Sequence, residues 1–224
     1  MEDVKKDLLI LNGRQVYDKY LVGNVVWYFK DHLKIADYHA HYDDLKRYIS
    51  DKVEVPFGNI AIVGSAKTGI SFTPGNNLRA FTEESDIDLV IVSKKYYEEI
   101  WKAYLEMFYK NNVPDAYREI NASIFKGFIS VTTSSKTHTD IIAWEKKVGE
   151  MMKDLQLIYG IKQEVNYRIY DSWESVLAYH CHGLDILIKN YRKESHDRAI
   201  AEKRKNRMIL RLLEGIKNFK NGND

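Results

Sequence analysis

One cysteine, Cys181, stands among 224 residues, so no internal disulfide can form, and a structural zinc site would need its other ligands from histidine or carboxylate. Three prolines and twelve glycines are too few for a collagen-like or Pro/Gly-rich low-complexity chain. Uninterrupted apolar runs of the roughly 18 residues that a membrane span requires are also missing. The richest stretch, residues 20–29, is closed at once by Lys30, Asp31 and His32. The N-terminus carries Glu2, Asp3, Lys5, Lys6 and Asp7 in place of a basic segment followed by an apolar one, so no secretory signal is expected. Together with the cysteine count, these absences predict a cytoplasmic protein without a membrane partner.

What is present is the make-up of a folded chain. With 45% hydrophobic and 29% charged residues, and a length above one typical domain but short of two, the composition predicts one α/β body with an appended helical part. The formal net charge of +2 does not by itself announce a polyanionic partner. Its distribution is uneven, however: residues 189–220 hold 11 Lys or Arg against 4 Asp or Glu. A nucleic acid bound by basic C-terminal helices fits that excess, and so does the solvated face of an amphipathic helix.

Apolar positions at helical spacing predict two or three helices in the first fifty residues. Ile60-Ala61-Ile62-Val63 is a short β-branched run that reads as a buried strand ending in Gly64-Ser65. A polar, glycine-containing connection follows over residues 66–85, with its turn at Thr73-Pro74-Gly75-Asn76-Asn77. A second strand is expected over 87–92 and an amphipathic helix over 96–109. The pairing of 111–139 stays open, with a loop expected at 132–137. A helix over 141–159 stops near Gly160, and residues 163–170 alternate as a half-buried strand does. From Trp173 to Phe219 the pattern is helical, with a polar interruption expected at 192–197.

The chemistry-bearing residues lie in Ser85-Asp86-Ile87-Asp88-Leu89-Val90. Strand alternation puts Asp86 and Asp88 on one face, about 7 Å apart along the backbone. Two such carboxylates repel unless a cation, hydrogen bonds or solvent compensate, and Mg²⁺ shared with substrate phosphates is a common compensation. Gly64 lets backbone approach a ligand, Ser65 offers a hydroxyl and an N–H, and Lys67 and Thr68 add a cation and a hydroxyl. The structural alternatives are a solvated edge strand and an ordinary strand-to-helix turn capped by Ser65.

In combination, Ile62-Val63-Gly64-Ser65 followed by Ser85-Asp86-Ile87-Asp88-Leu89-Val90 resembles the nucleotidyltransferases of the DNA polymerase beta superfamily, and the run 64–69 looks like its small bacterial members. The tight match spans about thirty residues. The resemblance implies an α+β nucleotidyltransferase fold. On that expectation a small mixed sheet would be flanked by N-terminal helices within residues 1–172, and a C-terminal helical segment, 173–224, would pack on it. It also implies that Gly64 and Ser65 hold the phosphates of a nucleoside triphosphate and that Asp86 and Asp88 ligate Mg²⁺, with two ions expected. The reaction would move a nucleotidyl group to an unidentified hydroxyl on a protein, small molecule, RNA or nucleotide, in a setting such as bacterial defence or a toxin–antitoxin pair.

Two departures stand out. The twenty residues between Ser65 and Asp86 exceed the family's usual connection, which makes 73–81 an expected insertion beside the site. The position where the family places a third carboxylate falls on Asn166, which brings no charge and cannot act as a general base. Glu164, on the same strand face, is the favoured substitute and Asp140 the other, and the absence of any third carboxylate is a further alternative. Arg168 shares that face and is expected to touch the triphosphate or to pair with Asp86 or Asp88. The pairs His39/His41 and His180/His182 are spaced i, i+2, which on a helix points them to different sides. Two rivals to the enzyme remain: a nucleotide sensor without catalysis, and a nucleic-acid-binding accessory protein.

Overall fold

The structure is a computed structural model that describes residues 1–131 and 137–221, with side chains through residue 209. The loop expected at 132–137 therefore lies almost wholly outside the described residues. Helices α1 (Glu2–Ile10), α2 (Gly13–Tyr20) and α3 (Tyr38–Val53) precede strand β1 (Ile60–Val63) and the short helix α4 (Gly64–Thr68). Then come β2 (Ile87–Val92), α5 (Lys94–Tyr109), α6 (Tyr117–Phe125), β3 (Phe128–Ile129), α7 (Thr139–Ile158), β4 (Val165–Tyr170) and α8 (Trp173–Asn221).

The chain is thus a mixed α+β protein built on one four-stranded sheet of order β1-β2-β4-β3. β1 runs antiparallel to β2, β2 parallel to β4, and β3 antiparallel to β4. The period-2 alternation of strands sorts side chains onto two faces. Ile60, Ile62, Ile87, Leu89, Ile91, Ile129 and Ile169 enter the main core with residues of α3, α5 and α7. Val63, Val90, Val92, Phe128 and Tyr170 form a smaller cluster with Val176 of α8 on the opposite face. β2 and β4 are buried on both sides at their C-terminal ends, which is why β2 reads as a continuous apolar run broken only by Asp88. Asp86 and Asp88 stand on the α8 face, at the end of β2 that the apolar cluster leaves uncovered.

Residues 66–85 differ from a plain polar connection. α4 takes up the start and ends where Gly69 adopts φ +79°. Beyond it, Ile70, Phe72 and Leu78 are buried with Val4, Leu8, Val16, Leu184 and Leu187. The connection, including Leu78 of the expected insertion, is therefore packed against α1, α2 and α8. Ser65 does not cap α4: the N-cap position is Val63, without a side-chain hydrogen bond.

The polar interruption expected at 192–197 does not occur, because α8 continues through it as one helix of 49 residues. Arg, Lys and Glu are good helix formers, and this stretch contains neither proline nor glycine, so polarity marks exposure there and not a break. Among the described residues the first part of α8 packs against α1, α2 and β4. Arg192 closes that contact by donating from Nε to the Leu8 carbonyl (3.0 Å) and from a terminal nitrogen to the Leu11 carbonyl (2.7 Å). Among the described residues no helix is long and apolar enough to cross a membrane.

Candidate functional site

Strand pairing sets Val63 opposite Asp88, so the bend that follows β1 falls beside that carboxylate. Gly64 has φ +67°, and a Cβ added to it would lie 2.6 Å from Asp88 Oδ2. Glycine is required there twice, for the left-handed backbone and for the space. The missing Cβ lets the carboxylate oxygen approach the backbone of the bend closely. Ser65, the next residue, is half-buried.

The parallel partner strand brings the rest. Asp88 pairs in register with Asn166, and the Asn166 amide donates to Asp86 Oδ2 at 2.8 Å. Two positions along, an Arg168 guanidinium nitrogen lies 3.7 Å from Asp88 Oδ1. The same guanidinium stacks on Phe128 (5.2 Å to the ring centre) and Tyr179 (5.4 Å). The ion pair expected between Arg168 and one of the two aspartates is formed, to Asp88. Glu164 is exposed, and its carbonyl accepts the Ile87 N–H at 2.8 Å, so its backbone borders Asp86. Among the described residues no three His, Cys, Asp or Glu side chains form a group able to hold a metal. The site is a pair of carboxylates with an amide beside them.

No known protein family, curated protein or solved structure matches this chain. The functional reading therefore rests on the site's own chemistry.

Two expected phosphate ligands are placed elsewhere. Lys67 is buried, and its ammonium donates to the Gly23 carbonyl. The Thr68 hydroxyl lies 2.7 Å from the Ile70 carbonyl and 3.2 Å from that of Gly64. Lys67 ties the turn to a backbone carbonyl 44 residues away, and Thr68 bonds to carbonyls of its own turn. Asp140 occupies the first turn of α7, an ordinary place for a carboxylate.

Burial, with a smaller contribution from the charge of Lys46, lowers the Lys67 pKa from 10.5 to about 8. Between those values the unfolded chain binds the extra proton, so folding stability rises with pH from about 8 to 10.5. In Lys67→Met that rise disappears, as paired urea titrations at pH 8 and 10 would show. A retained rise would assign it to another group.

Burial raises the pKa of Asp88; Arg168 opposes this and Asp86 adds to it. Burial also pushes His180 down to about 4, assisted by Arg168, and its Nε2 is enclosed without a hydrogen-bond partner. Phe128, Tyr179 and His180 thus surround the Arg168 side of the site. Nothing in their sequence context pointed there, because they reach it from β3 and α8. His41 packs edge-on against Phe29, a core contact. The apolar groove of about 250 Å³ between α5 and α6, lined by Trp101, Leu105, Phe108 and Tyr117 among others, involves none of these residues.

Proposed function

We propose that this chain binds a magnesium–nucleoside triphosphate at the Gly64 bend and transfers its nucleotidyl group to a hydroxyl acceptor. The observation that carries the reading is the contact between the Gly64 backbone and the Asp88 carboxylate, with Asp86 two residues away on the same face. The donor set suits Mg²⁺, which accepts one or two carboxylates and takes its remaining ligands from phosphates and water. When bound, the ion would neutralise charge on the triphosphate as pyrophosphate leaves. Asp86 and Asp88 would hold it, Gly64 and Ser65 would let backbone reach the phosphates, and Arg168 would keep Asp88 oriented. In the transfer, the acceptor oxygen bonds to the α-phosphorus, the bond from that phosphorus to the bridging oxygen breaks, and the hydroxyl proton passes to solvent.

Binding without turnover is the second reading, favoured by the 2.8 Å Asn166–Asp86 hydrogen bond. An amide in that place can orient Asp86 but cannot take a proton from the acceptor. Titrating each of the four ribonucleoside triphosphates with Mg²⁺ while following the melting temperature and pyrophosphate release separates the two. Release supports transfer; a melting shift without release supports sensing. If no triphosphate raises the melting temperature, both readings are lost. Asn166→Asp is expected to raise pyrophosphate release by about 100-fold, the lower end of what a positioned general base contributes.

A further inference from the structure

From residue 196 to residue 209 every residue of α8 is exposed, so this stretch projects from the body. At 100° per residue, Lys189, Lys193, His196, Lys203, Arg204 and Arg207 fall on one stripe, interrupted only by Ile200. The stripe is about 27 Å long at 1.5 Å per residue. Some exposed cations on other helices are paired within a turn, as in Arg14–Asp18 and Arg47–Asp44. Along the projecting part of α8 the one ion pair among the described residues is Arg198–Glu194, which lies off the stripe.

We propose that this stripe binds the phosphate backbone of a nucleic-acid duplex. A duplex offers one negative charge per about 1.7 Å of its axis, so a line of unpaired cations of this length can displace several condensed counterions. The opposite side of the same turns carries Glu194, Arg198, Glu202 and Lys205. Among the described residues that side is charged from Glu194 through Lys205 and turns apolar only at Ile209, which distinguishes this stretch from a membrane-binding amphipathic helix. No residue at the Asp86–Asp88 site takes part, so the inference stands apart from the nucleotide reading.

The test is fluorescence anisotropy of the full chain with a labelled duplex of about 20 base pairs, from about 50 to about 200 mM salt. The logarithm of affinity should fall against the logarithm of salt with a slope of about −4, and Asp86→Ala with Asp88→Ala should leave it unchanged. Lys203→Glu, Arg204→Glu and Arg207→Glu together should weaken binding by at least about tenfold and flatten the slope by about three. The same charge change on α5 (Lys94→Glu, Lys95→Glu, Lys102→Glu) should cost less than about threefold. Equal losses from the two triple variants, no binding at the lowest salt, or tighter binding to anionic lipid vesicles than to the duplex would each overturn the proposal.

Discussion

Gly64→Ala should abolish magnesium-dependent triphosphate binding and lower folding stability well beyond what its backbone angle alone predicts. An L-residue held in the left-handed region costs about 1–2 kcal/mol. Gly160 has nearly the same angle, φ +63° against +67°, but a Cβ there meets nothing within 4 Å. Gly160→Ala therefore measures the backbone cost alone. At Gly64 the new methyl would sit 2.6 Å from Asp88 Oδ2, so either the bend or the carboxylate must shift. Both parts of the site are then displaced. Urea denaturation of the two variants, with and without Mg²⁺ and triphosphate, reads the difference directly. Equal destabilisation, with ligand stabilisation preserved at Gly64, would show that the bend does not bear on the carboxylate.

Asp88→Asn is expected to separate stability from binding. Burial holds the Asp88 pKa above its ordinary value of 3.8, with Arg168 countering and Asp86 reinforcing the shift. Between 3.8 and the raised folded value the folded chain binds more protons than the unfolded one, so stability falls as pH rises through that window. The ionised carboxylate is a cost that the ligand-free protein carries at neutral pH, and removing it should raise the melting temperature. Arg168 keeps its contacts with Phe128 and Tyr179, which limits the penalty of losing its partner. Triphosphate binding in the presence of Mg²⁺ should weaken by about 100-fold or more, comparable to deleting a preorganised electrostatic contact in an active site. In the wild-type chain the same binding should fade as pH drops through the raised Asp88 pKa. An Asp88→Asn variant that is less stable and still stabilised by the magnesium–triphosphate would refute this account.

Local pattern carried much of the fold. The β-branched runs at 60–63 and 87–92 and the alternation ending at Tyr170 are the strands that form, since a short run of such residues has few other ways to be buried. α5 and α7 begin two residues before the expected starts, where Ser93 and His138 accept N-terminal hydrogen bonds. Polarity misled at 192–197, where charged residues continue a helix, and at 66–85, where Ile70, Phe72 and Leu78 are too widely spaced to signal burial. β3, two residues long, is a strand only because β4 lies beside it.

At the candidate site the division is sharper. Asp86, Asp88, Gly64 and Asn166 are legible in the chain because alternation and glycine's backbone freedom are local properties. Residue order alone determined that two carboxylates share a strand face and that a glycine bend follows an apolar strand. The meeting of that bend with Asp88, the turning of Lys67 and Thr68 onto backbone carbonyls, and the enclosure of Arg168 by β3 and α8 were decided by tertiary structure. Each depends on strand register and on helices distant in sequence, and a side chain's partner is set by whichever neighbour the completed packing brings within a few ångströms.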